Sequence, residues 1–185
     1  MRFTLRAALI AIGILSIVFV AYERQSRDWR MRQRLINEIA SFGGSAPTID
    51  ENYTVSRIYI EDRITAPLPD RFSVLKSLYC GGSNVTDDDL RHLESAEEIL
   101  VLSLNETKIT DDGLHYLSNI KSLNAIRFDG TSISDAGMNS LSTVHFKLGV
   151  DLSGTRVTRT GVDRLKELRP EIYVIHRDLG LDGCE

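Results

Sequence analysis

The chain has 185 residues, 42% of them apolar and 26% charged, which leaves room for one modest domain and a separate apolar segment. The net charge of −4 is unevenly spread, because residues 1–34 hold seven arginines against Glu23 and Asp28 and the remainder therefore carries −9. An acidic remainder repels phosphate backbones, which argues against nucleic acid as a partner.

Residues 7–22, AALIAIGILSIVFVAY, contain no charged side chain. At 1.5 Å per residue they reach about 24 Å; with residues 3–6 added and Arg6 snorkelling to the headgroups, the span approaches the roughly 30 Å of a hydrocarbon core. An N-terminal tail and transmembrane anchor over residues 1–22, seated in the lipid bilayer through residues 3–22, is therefore expected. A cleaved signal peptide is the alternative, since Arg2 and Arg6 form a charged start. Bulky Phe19 stands against it, two residues before Ala21, where cleavage requires a small side chain. Arg24, Arg27, Arg30, Arg32 and Arg34 outnumber Arg2 and Arg6, so the positive-inside count puts the rest of a single-pass membrane protein on the cytoplasmic side in preference to the opposite one.

Residues 23–44 read as a basic juxtamembrane amphipathic helix. Trp29, Leu35, Ile36 and Ile39 form a narrow apolar stripe, and Gly43-Gly44 supplies the left-handed stop. Arg24, Arg27 and Arg30 are placed to meet anionic headgroups, while the stripe near Phe42 is placed to cover the domain that follows. Residues 45–74 are expected to be an N-terminal cap and degenerate unit. Ile58 and Ile60 alternate as in a strand, but Ile64 precedes Val85 by 21 positions instead of 24, and Pro67 and Pro69 forbid a normal helical turn.

Across residues 75–176 one pattern returns every 24 residues. An aliphatic followed by Ser or Thr falls at Val85-Thr86, Ile109-Thr110, Ile133-Ser134 and Val157-Thr158. Apolar columns accompany it at Leu90/Leu114/Met138/Val162 and Leu93/Leu117/Leu141/Leu165. Upstream lie short strands with inward columns Leu78/Leu102/Ile126/Val150/Val174 and Cys80/Leu104/Phe128/Leu152/His176. Ser83, Thr107, Thr131 and Thr155 are expected to bond the turn backbone of neighbouring units. Thr86-Asp87, Thr110-Asp111 and Ser134-Asp135 are expected to cap the helix that each begins, with Arg159 weakening the fourth cap. Pro170 stops the last helix, Ile172 and Val174 close the core, and residues 177–185 form an acidic tail.

The unit L-x-L-x-x-T-x-I-T-D-x-G-L-x-x-L-x-x-L, clearest in LSLNETKITDDGLHYLSNIKSL and again in IRFDGTSISDAGMNSLSTVHFK, resembles the leucine-rich repeat. The T-D-x-G-L variant after a short apolar span looks like the membrane-anchored type common in planctomycetes. That resemblance implies an α/β leucine-rich repeat solenoid, with short parallel strands on the concave face and helices on the convex face, following an N-terminal transmembrane helix. It carries over no catalytic residue.

The chemistry-bearing residues do not assemble into a motif. Asp87-Asp88-Asp89 and Asp111-Asp112 lack the alternating oxygen spacing of a calcium loop, and His92, His115, His145 and His176 fall at different phases of the period. Cys80 occupies a core column and Cys184 the tail, so no disulfide is expected. No nucleophile elbow, phosphate loop or zinc spacing occurs, and neither an enzyme nor a cofactor or metal site is expected. The concave face is the candidate protein-binding surface, comprising Tyr79, Ser103, Asn105, Arg127, Asp129, Asp151, Tyr173 and Ile175. Arg127 and Asp151, on neighbouring strands, are expected to pair. The expected function is a membrane-anchored protein–protein interaction module. The alternatives are a structural envelope component without a discrete partner and a ubiquitin-ligase-like recognition subunit, the latter from the likeness to F-box-associated arrays.

Overall fold

A computed structural model describes the backbone of residues 5–52, 54–69, 74–94, 96 and 98–182, and the side chains of these except 5–13, 46, 74, 98 and 182. The chain divides into two compact units, residues 1–37 and 38–185. One sheet runs in sequence order through β1 (Gly44–Ile49), β2 (Val55–Ile60), β3 (Val74–Tyr79), β4 (Glu98–Ser103), β5 (Leu123–Arg127), β6 (Phe146–Asp151), β7 (Tyr173–His176) and β8 (Leu181–Asp182). Strands β2 to β7 are parallel, whereas β1 and β8 close the two edges in antiparallel fashion. The helical segments are α1 (Leu5–Ser41), α2 (Asp87–Leu90), α3 (Met138–Thr143) and α4 (Arg159–Leu168), joined by 3-10 turns at Arg91–Leu93, Asp111–Asn119, Asp135–Gly137 and Arg177–Leu179.

The strand register explains the columns seen in the sequence. Ser77, Val101, Ala125, Gly149 and Tyr173 are successive cross-strand neighbours, as are Leu78, Leu102, Ile126, Val150 and Val174. The second set is buried, together with Leu90, Leu114, Met138 and Val162 and with Leu93, Leu117, Leu141 and Leu165 on the connections behind the sheet. Each such side chain withdrawn from water stabilises the fold by about 1.5–3 kcal/mol. Parallel neighbours need a crossover, and here much of it is 3-10. At about 2.0 Å rise per residue against 1.5 Å in an α-helix, a 3-10 segment returns the chain with fewer residues.

Two expectations about the fold are corrected. Among the described residues, no helix is long and apolar enough to cross a membrane. Residues 3 and 4 of the expected span lie outside the described residues, as does Cys184. The transmembrane anchor, the lipid contact through residues 3–22 and the single-pass membrane location are therefore withdrawn. The second correction concerns class: in place of a solenoid with helices along its convex side after a membrane span, the chain is an α/β fold with a mostly parallel sheet and helices. Its edge strands are antiparallel and most of its helical segments are short.

The connections interlock in a way that the local pattern disguises. The Asp87 carboxylate accepts from Thr110 N–H at 2.9 Å and from the Thr110 hydroxyl at 2.6 Å. Asp111 does the same for Ser134 at 2.8 and 2.6 Å, and Asp135 for Thr158 at 2.7 and 2.6 Å. Each aspartate thus holds the following connection, while the capping of its own segment falls to the residue before it: the Thr110 and Ser134 hydroxyls accept from Asp112 and Ala136 N–H, each at 3.3 Å. The glycine after that Ser or Thr makes room for it: a Cβ on Gly113 would lie 2.3 Å from Asp87 Oδ1. Thr86, the first in the series, takes Asp89 of its own segment at 2.9 Å, and Arg63 clamps that carboxylate at 2.8 Å. At the far end, Arg159 stands where an acceptor would be and faces Asp163 at 3.6 Å.

The expected hydroxyl bonds between units are also corrected. Ser83, Thr107, Thr131 and Thr155 donate to Cys80, Leu104, Phe128 and Leu152 carbonyls at 2.5–2.6 Å, each within its own turn. That turn requires positive φ at Gly82, Gly130 and Gly154, and Glu106 adopts the same conformation at φ 55° in the remaining copy. Turn N–H groups of Gly82, Glu106 and Gly130 donate to the next turn's carbonyl, whereas Gly154 N–H finds the Asp178 carboxylate at 2.6 Å. Arg169 secures the loop before β6, its guanidinium donating to the Ser142, Val144 and Phe146 carbonyls at 3.2, 2.9 and 2.9 Å.

Candidate functional site

On the sheet face opposite the core, alternation brings forward Ser77, Tyr79, Val101, Ser103, Ala125, Arg127, Gly149, Asp151, Tyr173 and Ile175. The structure divides the eight sequence candidates into distinct roles. Ser103 and Asp151 are buried. The Ser103 hydroxyl donates to Asn105 Oδ1, and Asp151 Oδ1 accepts from Ser153 N–H at 3.0 Å and from its hydroxyl at 2.7 Å. Both are committed to the local structure. Asn105, Asp129, Tyr79 and Ile175 are half-buried, while Arg127 and Tyr173 are exposed.

The expected Arg127–Asp151 pair is replaced by another. The cation nearest Asp151 is Arg177, whose Nη2 lies 3.7 Å from Asp151 Oδ2, so Asp151 faces the end of β7. Arg127 has no ion-pair partner among the described residues.

Two hollows open on this face and meet at Tyr79. The first, about 580 Å³, is bordered by Ser45, Tyr59, Glu61, Tyr79, Ser103 and Asn105. There the Tyr59 and Tyr79 rings stack with centroids 5.0 Å apart, and the Ser45 hydroxyl donates to Glu61 at 2.8 Å. The second, about 390 Å³, has a floor of Val101, Ala125 and Gly149 between Tyr79 and Tyr173, with Leu148, Arg127 and Arg177 on its rim. Leu148 is 57% exposed and Tyr173 54%, so large apolar surface faces solvent along this groove.

Tyr59 and Leu148 were not among the sequence candidates. Tyr59 pairs with Tyr79 at an offset of 20, outside the 24-residue spacing. Leu148 follows an irregularity in register, where Leu123 faces Phe146 but Ala125 faces Gly149. Alternation in RIYI was a usable signal for Tyr59; nothing in VHFKLGV marked the extra residue.

Elsewhere the titratable groups serve the fold. Burial, and secondarily the Asp89 charge, pushes the Cys80 thiol well above its ordinary range, so it behaves as a small apolar side chain. Burial alone would push the Asp89 carboxyl up, but the hydrogen bonds from Arg63 and Thr86 outweigh it and hold it below the usual carboxylate range. His176 is buried, with Nε2 2.9 Å from the Val157 carbonyl. Among the described residues, no group of three or more His, Cys, Asp or Glu side chains could hold a metal ion. On exposed stretches of α1, Arg24, Arg27 and Arg30 face solvent. No family model and no curated protein matches the chain.

Proposed function

We propose that the chain is a protein-interaction module whose binding surface is the groove between Tyr79 and Tyr173. The observation that carries this reading is the exposure of Leu148 and Tyr173 over a small-residue floor, with two arginines on the rim. Soluble surfaces rarely gather large apolar side chains without use, and aromatic residues and arginine are enriched at the centres of interfaces. The continuous hydrogen-bonded sheet beneath the groove supports it too, because a preformed surface loses little entropy on binding.

The test is site-specific photo-crosslinking in cells of the native host, with a benzophenone side chain placed at Leu148, at Tyr173 or, on the opposite face, at exposed Glu167. Discrete adducts from the first two positions and none from Glu167, removed when Ala125→Arg fills the groove, are the expected result. The same adduct pattern from all three positions, or adducts indifferent to the filled groove, would overturn the proposal.

A further inference from the structure

We infer that the groove recognises an extended protein segment in which an aspartate or glutamate lies beside an aliphatic or aromatic residue, with Arg127 and Arg177 taking the carboxylate. This rests on the reading of the groove as an interaction surface and specifies its partner.

Charge complementarity is the first ground. The lining holds two guanidinium groups against one carboxylate, Asp151. Asp151 is buried and already accepts two hydrogen bonds from Ser153. Its 3.7 Å separation from Arg177 is beyond hydrogen-bond length, and the Arg177 side chain is 63% exposed. Arg127 is exposed and has no ion-pair partner among the described residues. Each guanidinium carries five N–H donors in a planar fork suited to a carboxylate. The groove therefore presents unused donors and a local surplus of one positive charge.

Position is the second ground. Arg127 on β5 is the register neighbour of Asp151 on β6, which neighbours Ile175 on β7, and Arg177 follows two residues later. Both cations consequently stand at the carboxyl ends of their strands, and the apolar floor lies one alternation step back at Val101, Ala125 and Gly149. A ligand that follows the strands meets apolar surface and then positive charge. Gly149 keeps the floor low, since a Cβ there would lie 2.7 Å from the Tyr173 carbonyl oxygen.

Size and the distant field narrow the class. A groove of about 390 Å³ sits at the small end of binding cavities, so it takes a few residues of extended chain, not a folded surface. Residues 35–185 carry −9, which repels a polyanion at long range while leaving a single short-range carboxylate pair intact.

A random heptapeptide library displayed on phage and selected against the full chain tests this directly. Enriched peptides should carry Asp or Glu next to an aliphatic or aromatic residue. Synthetic copies should bind at least about tenfold more weakly to Arg127→Gln/Arg177→Gln, as expected for hydrogen bonds to a charged group, and likewise when their own acid is changed to its amide. Selection repeated on Arg127→Glu should shift enrichment toward Lys and Arg, a result that loss of folding cannot imitate. Enriched peptides that lack an acid yet lose binding in Leu148→Ala/Tyr173→Ala would overturn the carboxylate assignment and leave the interaction surface standing. No enrichment, or binding indifferent to all of these variants, would overturn both.

Discussion

Asp87 and Gly113 belong to successive connections, and their contact provides a quantitative test of the interlock. Asp87→Ala deprives Thr110 of the carboxylate that accepts its N–H at 2.9 Å and its hydroxyl at 2.6 Å. Hydrogen bonds to charged groups contribute about 1.5–3 kcal/mol each. Asp87 is half-buried and water replaces part of the loss, so the cost is about 2–3 kcal/mol. Gly113→Ala reaches the same contact from the other side. Its Cβ would lie 2.3 Å from Asp87 Oδ1 and 3.1 Å from Leu90 Cδ1, which drives the carboxylate off Thr110 at about 1–3 kcal/mol. Once Asp87 is gone the main obstruction is gone too, and only the end of a flexible leucine has to give. The double variant should therefore cost at least about 1 kcal/mol less than the two single costs together. Urea unfolding of the four proteins measures this, with Asp88→Ala, exposed beside Asp87, as a control within about 0.5 kcal/mol. Single costs that add within about 0.5 kcal/mol would refute the shared contact.

Three further outcomes follow from the geometry. Glu106 holds φ 55° at the turn position where Gly82, Gly130 and Gly154 hold 65–73°; Glu106→Gly should raise stability by about 0.5–1 kcal/mol, and a lower melting temperature would contradict it. The Asp89 carboxyl is held low in the folded chain, so its contribution is fully present above the unfolded value of about 3.9 and disappears as pH falls through the folded value. Arg63→Gln leaves only the Thr86 hydrogen bonds to oppose burial, so that carboxyl rises and the onset of acid unfolding, followed by circular dichroism, should move to higher pH; coincident acid limbs would count against the clamp. Arg169→Lys cannot reach the three carbonyls that the guanidinium spans and should cost about 1–3 kcal/mol. Faster amide exchange should then be confined to residues 142–147, and exchange unchanged there would dismiss the staple.

Spacing in the sequence carried the information on which residues neighbour one another across the strands, because Leu78, Leu102, Ile126, Val150 and Val174 can be buried together only in one register. It could not say whether Asp87 caps its own turn or reaches to Thr110. Both need a carboxylate after a threonine, and only the three-dimensional offset between connections distinguishes them. Strand β1 escaped notice because Gly44–Ile49 contains Pro47 and little apolar alternation, and its pairing with β2 is irregular. Of the candidate site, the columns placed Tyr79, Arg127 and Tyr173 on the correct face, but burial of Ser103 and Asp151 depended on hydrogen bonds to Asn105 and Ser153 that no spacing rule reveals. The apolar run near the N-terminus was legible as composition, yet among the described residues no helix is long and apolar enough to cross a membrane.

The forward reach of Asp87, Asp111 and Asp135 gives the molecule a plug and a socket with a fixed direction. A tandem duplication of residues 111–134 would enter with a carboxylate in place at each new joint, and a deletion of the same stretch would leave Asp87 on Thr110 and bring Asp135, which holds Thr158, directly after it. An extra copy placed after Arg159 would meet a guanidinium instead. The series of carboxylate contacts therefore runs one way along the chain and ends at position 159, where an arginine stands in place of the acceptor.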